Sequence, residues 1–192
     1  RESLYLVNQF AQDSFAQDLW ESSEGMAIGL SYFRERGFTD ESIRFFSLGY
    51  AAEQRDHFYQ KATKAGYAEN FLEETGLVIK NERGAVDRFR GRVIFPIRSM
   101  AGRVQGFGGR ILSATAKTAK YLNSPESDIY HKSKVLYGMF EAKKAIAKED
   151  VCYLVEGYTD VIQMYQQGVE NVVSSSGTAL TSEQIRLIRR LT

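Results

Sequence analysis

Val151-Cys152-Tyr153-Leu154-Val155-Glu156-Gly157-Tyr158-Thr159-Asp160 is the stretch that decides the fold. Its first five residues are continuously apolar, as parallel strands covered on both faces are, and the acid and glycine that follow mark the turn into a helix. That helix runs from Tyr158 to Gln167 and stops at Gly168, and Asn171-Val172-Val173-Ser174 then reads as a second strand. After a Ser-Ser-Gly-Thr loop, Thr181 with Gln184 three residues on forms a capping box that opens a final helix. Strand, helix and strand predict one βαβ unit, with a right-handed crossover and two parallel strands side by side or nearly so. Two strands make only a partial sheet, so residues 151 to 192 are expected to carry an exposed edge able to recruit a neighbouring chain.

Working outward, Lys134 to Lys148 has helical spacing through Val135, Leu136, Met139, Phe140, Ala142 and Ile146. Before it the period is two. Arg92-Val93-Ile94-Phe95-Pro96-Ile97-Arg98 and Gly102-Arg103-Val104-Gln105-Gly106-Phe107 flank a turn at Ser99 to Gly102 and predict an antiparallel hairpin. Pro96 places its first strand at an edge or beside a bulge. Leu77-Val78-Ile79 begins the strand character. The first third is helical: 4 to 19, about Ser23 to Arg36 with Gly37 as the stop, a short helix capped by Asp40, then Phe58 to Gly66 and Asn70 to Thr75. The fold class that results is α/β, with an α+β part over residues 1–133 followed by the βαβ unit and its leading helix over 134–192.

The chain has 192 residues, enough to bury a core without disulfides or metal, and no apolar run approaches the roughly 20 residues that span a bilayer. A membrane partner is therefore not expected. The single cysteine, Cys152, excludes a disulfide framework and a cysteine-cluster zinc site, and fits a reducing compartment such as the cytoplasm. Arg-Glu-Ser-Leu-Tyr at the start lacks the apolar region of a secretory signal and reads as a cut from something longer.

The net charge of +1 speaks against nucleic acid only until it is divided along the chain. Residues 80 to 134 hold twelve Lys or Arg against four Asp or Glu, a balance of +8, and the remainder carries −7. Most of those cations alternate with Val, Ile, Phe and Gly in strand-like sequence. A sheet surface of guanidinium forks suits phosphate oxygens, and it reads equally as a solvated sheet face.

Glu156 follows a parallel strand and so lies at its carboxyl end, where open α/β sheets place ligands; an exposed loop acid is the plainer alternative. Asp160 falls in the first helical turn, where a carboxylate is first of all a cap. One carboxylate is a poor magnesium site, because Mg²⁺ is usually held through one or two carboxylates with waters and substrate phosphates. Gly102, Gly106, Gly108 and Gly109 lack the Walker spacing and point to tight strand packing or a close ligand. His57 and His131 have no acidic neighbour in ligand spacing. Lys120-Tyr121-Leu122-Asn123-Ser124-Pro125-Glu126 sets a cation, a ring and an amide side by side, a set that can hold phosphate, stack on a base and bond its edge, or simply form a turn.

Four segments together resemble one family. Arg88-Phe89-Arg90-Gly91-Arg92 through Arg98, then Gly102-Arg103-Val104 with Gly106-Phe107-Gly108-Gly109-Arg110, then Lys120 to Glu126, and finally Val155-Glu156-Gly157-Tyr158-Thr159-Asp160-Val161 are similar to bacterial DNA primases of the DnaG family, in family order. The resemblance covers most of the chain and is weakest over the first twenty residues and over 50 to 75. It implies an RNA polymerase core, with a basic mixed α/β subdomain leading into an incomplete TOPRIM domain. Such an enzyme is a nucleotidyltransferase that joins ribonucleoside triphosphates into short primers on single-stranded DNA.

By the same resemblance Glu156 binds magnesium (or manganese) and is essential to phosphoryl transfer, and Asp160 is the second acid of its motif. Arg36, Arg88, Arg90, Arg110, Lys120, Tyr121, Asn123 and Lys132 match the groove that tracks template and holds nucleotide. TOPRIM domains complete their metal site with an Asp-x-Asp motif that this sequence does not contain, so the stretch by itself is expected to be inactive in primer synthesis while the full protein is active. Zinc belongs to an N-terminal module, and the replicative helicase to a C-terminal domain, neither of which is in the sequence. The family implies a cytoplasmic, nucleoid-associated protein at replication forks. Two other functions fit parts of the pattern: a non-catalytic single-strand binding module, and another TOPRIM enzyme such as a topoisomerase or nuclease. The Arg-Phe-Arg and Lys-Tyr-Leu-Asn-Ser-Pro motifs stand against the latter.

Overall fold

The computed structural model describes residues 1–113 and 117–192. Helix α1, Glu2–Glu21, turns the three and four residue spacing of Leu4, Val7, Ala11, Phe15 and Leu19 into one buried stripe. The second helix opens with a π-helical turn, Gly25–Leu30, before continuing as α2, Ser31–Glu35. Gly25 explains the irregular turn: a Cβ there would lie 1.9 Å from the Asp18 carbonyl oxygen, so the backbone packs on α1 with no room for a side chain. Gly37, at φ +87°, ends the helix as expected. The cap of α3, Asp40–Phe45, is Thr39 and not Asp40: the Thr39 hydroxyl accepts from Ser42 N at 3.1 Å, while Asp40 sits inside the first turn and pairs with Arg34.

Strand β1, Gly49–Tyr50, is followed by helices α4, His57–Lys64, and α5, Glu69–Glu74. A hairpin of β2, Val78–Asn81, and β3, Gly84–Asp87, comes next. The main sheet adds β4, Arg92–Arg98, β5, Val104–Ile111, and β6, Tyr121–Asn123, all antiparallel in the order β1-β4-β5-β6. β1 pairs only with Val93 and Ile94, so Pro96 lies where β4 has no partner on that side, one residue before a register break at Ile97/Arg98. Edge and bulge both accommodate its missing N–H.

The helical spacing over Lys134 to Lys148 holds only in its second part, α6, Met139–Glu149. Tyr137 is instead extended and exchanges both backbone hydrogen bonds with Ser174, at 2.8 and 3.0 Å, and Gly138 at φ +85° turns the chain into the helix. Apolar residues at 135, 136 and 139 satisfy a helical period by coincidence; the backbone pairing decides the conformation.

The last segment is the expected βαβ unit: β7, Tyr153–Val155, lies parallel to β8, Val172–Ser174, with α7, Tyr158–Gln166, between them. The capping box of Thr181 and Gln184 starts α8, Ser182–Arg189. β8 is buried throughout, but Tyr153 and Leu154 of β7 are 50% and 44% exposed, so the strand is not covered on both faces. Tyr158, Val161 and Ile162 of α7 enter the same core cluster as Phe33, Phe95 and Tyr137, while Val173 packs with Leu136, Met139 and Ile146 of the α6 region. Among the described residues no helix is long and apolar enough to cross a membrane.

Candidate functional site

A cleft of about 330 Å³ opens where α7 meets the main sheet, lined by Tyr121, Asn123, Glu156, Gly157, Tyr158, Thr159, Asp160, Ser176 and Gly177. Its acidic wall is the turn after β7. The Glu156 carbonyl accepts from Ser174 Oγ at 2.9 Å, which ties the turn to β8, and the same hydroxyl oxygen accepts from Ser176 N at 2.9 Å. The Glu156 side chain is exposed, and among the described residues none pairs with its carboxylate. Asp160 Oδ2 accepts from Gly157 N at 3.1 Å and so caps α7, leaving one oxygen uncommitted.

The opposite wall comes from β6 and is fixed by Tyr158. That phenol is buried, stacks on Phe95 with ring centroids 5.0 Å apart, meets Tyr137 edge-on at 4.7 Å, and hydrogen-bonds Asn123 Oδ1. Burial pushes its pKa well up, so the hydroxyl keeps its proton and donates. With Oδ1 taken, the Asn123 amide nitrogen is the group left for a ligand acceptor. Gly108 makes the arrangement possible: a Cβ there would lie 2.4 Å from the Tyr158 hydroxyl. Close strand packing is thus the function of these glycines, with Gly106 facing Tyr130 and Gly109 facing Phe89 and Arg92.

The arginines divide into two groups. Arg92 is 4% exposed and donates to the carbonyls of Gly109, Lys120 and Ala119, holding β4, β5 and the approach to β6 together. Arg98 is paired with the buried Glu141 at 3.5 Å, Arg103 with Glu2, and Lys80 with Glu69. Arg88, half-buried, directs Nε and Nη2 at the Asn123 carbonyl, at 3.2 and 2.8 Å, and braces the cleft wall from behind. These side chains are part of the fold, and counting charge along the sequence does not separate them from the rest.

Arg36 and Arg110 form the second group. Arg36 Nη2 donates to Thr159 Oγ1 at 2.8 Å, which brings the end of α2 beside the acidic turn. The seam continues through Gln163 Nε2 to the Arg36 carbonyl, Gln166 Nε2 to the Gly37 carbonyl at 2.8 Å, and Thr39 N to Gln166 Oε1 at 2.8 Å. Arg110 lies over the Tyr32 ring at 5.0 Å and the Tyr121 ring at 6.0 Å. The structure therefore brings Glu156, Asp160, Tyr121 and Asn123 into one cleft, with Arg36, Arg110 and Arg88 bonded or stacked against it. Arg90, Lys120 and Lys132 do not line it; Arg90 and Lys120 are exposed, and Lys132 is held through its backbone by Glu126 and Gln184. Tyr158, Thr159, Ser176 and Gly177 were not singled out by sequence. Ser176 and Gly177 follow β8 at its carboxyl end, so the topological rule that selects Glu156 applies to them too.

No group of three or more His, Cys, Asp or Glu gathers among the described residues. The donor set still fits a hard divalent cation, since Glu156 and one Asp160 oxygen give the one or two carboxylates that Mg²⁺ takes alongside waters and substrate phosphates.

An antiparallel sheet bearing arginines leads into a βαβ unit with an acid at its first strand's end and arginines beside the cleft, the arrangement that the resemblance to primase catalytic cores implies. Comparison with known proteins shows the family. The family model for the DNA primase catalytic core, N-terminal domain, matches residues 15–143, and a Toprim domain model matches 150–192. The chain belongs to the DNA primase catalytic core family. It is 46% identical over 190 residues to the DNA primase of Deinococcus radiodurans, covering 98% of this chain and 32% of that protein. Against the DNA primase of Escherichia coli K12 it is 40% identical over 199 residues, covering 100% and 32%. The RNA polymerase domain of Mycobacterium tuberculosis primase DnaG superposes with a TM-score of 0.94 at 39% identity, covering 100% of this chain and 62% of that one. A DnaG primase catalytic domain bound to ssDNA gives 0.90 at 38%, covering 100% and 61%. The chain spans about a third of the length of these curated relatives.

Proposed function

We propose that this chain carries the template-binding and nucleotide-binding part of a primase active centre, in a protein that synthesises short RNA primers on single-stranded DNA. The observation that carries the reading is one cleft with an acidic wall, Glu156 and Asp160, facing a wall of ring and amide, Tyr121 and Asn123, with Arg36 and Arg110 alongside. Glu156 is the residue that holds the divalent cation, and Asp160 adds its second oxygen while the first keeps α7 capped. A bound Mg²⁺ or Mn²⁺ supplies charge neutralisation at the triphosphate and acidifies the attacking 3′-hydroxyl. Arg36 and Arg110 neutralise phosphate oxygens, the Asn123 amide donates to a ligand acceptor, and the exposed Tyr121 ring offers a stacking face for a base. Arg90, Lys120 and Lys132 extend the basic surface along which the template strand runs. Residues 1–133 act as the basic subdomain and 134–192 as the start of the Toprim part. Ribonucleoside triphosphates and single-stranded DNA are the ligands, the replicative helicase is the partner of the whole protein, and its place is the bacterial cytoplasm at the replication fork. A solved relative with ssDNA bound supports the nucleic-acid part of the reading.

The test is Glu156→Gln in a chain of the relatives' full length, assayed for template-dependent primer synthesis. Synthesis is expected to fall by about a hundredfold or more, as expected when a group stabilising transition-state charge is removed, with single-strand affinity kept within about twofold. Equal synthesis in the two proteins overturns the role of Glu156.

A further inference from the structure

Among the described residues Arg36 and Arg110 have no carboxylate partner, unlike Arg34, Arg98 and Arg103. Beyond one neutral hydrogen bond each, they share one aromatic ring. Arg36 Cζ lies 5.8 Å from the Tyr32 ring centroid and Arg110 Cζ lies 5.0 Å from it. Two guanidiniums repel each other, and bringing both to a ring whose face is electron-rich offsets part of that repulsion while leaving most of their N–H donors unused. Arg36 commits one nitrogen to Thr159, and Arg110 commits one to the Ile111 carbonyl at 3.0 Å. The Tyr32 hydroxyl is buried with no hydrogen-bond partner among the described residues, so the side chain is not kept in place by its polar end. Burial raises its pKa against the opposing pull of Arg110 and Arg36, so the ring beside the two cations stays neutral.

We infer that Tyr32 is a positioning residue whose ring sets Arg36 and Arg110 as a single clamp for a polyphosphate chain entering the cleft beside Glu156. This deepens the proposed function and rests on it for the identity of the cleft, but the clamp itself is defined by anion binding alone. Pairing of the guanidiniums with carboxylates would quench such a site; pairing with a ring preserves their charge for a ligand. The two arginines then act together, because either one's position depends on the ring that also holds the other.

The test uses a chain of the relatives' full length with inorganic tripolyphosphate as the probe, without metal, titrated calorimetrically across a series of NaCl concentrations. Tyr32→Leu and the unbranched, similarly bulky Tyr32→Met both remove the ring, so one serves if the other does not fold. Each is expected to weaken binding about tenfold and flatten its salt dependence, while Tyr32→Phe stays within about twofold of the parent because the hydroxyl has no partner to lose. Tyr32→Leu added to the Arg36→Ala/Arg110→Ala pair is expected to bind no more weakly than that pair alone. Parent-like affinity in both ring-less variants, a Phe variant as weak as the Leu variant, or full additivity in the triple variant overturns the inference. A loss seen with the oligonucleotide dT12 and not with tripolyphosphate overturns the polyphosphate assignment and gives the clamp to the strand backbone. Loss of primer synthesis plays no part in these readouts, so the clamp and the primase reading fail separately.

Discussion

β4 and β7 are both apolar strands read from four or five hydrophobic letters, yet they live in different surroundings. β4 is buried from Arg92 through Ile97, with neighbours on both sides over part of its length and Phe95 packed against Phe33, Tyr137 and Tyr158. β7 has one hydrogen-bonded neighbour among the described residues, and two of its three residues are largely exposed. An apolar run records that a strand is built to be covered; it does not say that the cover is supplied by the same stretch of chain.

The comparison breaks most readily at Phe95. Phe95→Ala empties the centre of an aromatic cluster and is expected to cost about 3–5 kcal/mol in urea unfolding, whereas Leu154→Ala in β7 is expected to stay below about 1 kcal/mol. Equal losses would mean that β7 is covered in solution. Gly108→Ala comes next. Its Cβ would collide with the Tyr158 ring, which Phe95 and Tyr137 hold on two sides, so a loss of about 1–3 kcal/mol is expected, and Tyr158→Phe in the same background should not rescue it, because the ring carbon is as close as the oxygen.

A third effect depends on pH and lies in β3, outside both strands. Asp87, at the end of β3, accepts from Phe58 N and Tyr59 N at 2.6 and 3.0 Å and so caps α4 from a distance. Burial outweighs those donors and the nearby His57 and Arg90, with Asp56 adding to the rise, and pushes its carboxyl from the ordinary 3.8 up to about 7. The folded chain therefore holds a proton that the unfolded chain has released. That contribution to stability is fully present below pH 3.8 and is lost as pH rises through about 7. Asp87→Asn is expected to flatten the decline between these limits; an unchanged pH profile of the unfolding midpoint would show that the carboxylate is ionised throughout.

Much of this was legible because local chemistry and global topology agree. The period of two gives the β4/β5 hairpin, the Thr181/Gln184 box gives the start of α8, and strand topology alone picks Glu156. What was not legible depends on partners distant in sequence. β1 is two residues long and exists only as a pairing with β4, and Tyr137 is extended because Ser174 lies opposite, although its neighbours have helical spacing. The strand β3, Gly84–Asp87, is short and half exposed, with no apolar alternation to mark it. Charge counting located the basic region but could not tell Arg92, a strut with three backbone carbonyls, from Arg110, which lies over the Tyr32 and Tyr121 rings beside the cleft. Tyr32 left no signal at all, since an aromatic residue on a helix reads as packing until the cations above it are seen.

The seam between α7 and the end of α2 has a mechanical consequence. Thr159, Gln163 and Gln166 fasten one helix to Arg36, Gly37 and Thr39 along more than a turn, while the turn before that helix is tied through the Glu156 carbonyl to Ser174 of β8. Any rigid shift of α7 therefore carries the end of α2 with it, and the Arg36 guanidinium keeps its place beside Thr159 whatever rotamer the exposed Glu156 side chain adopts.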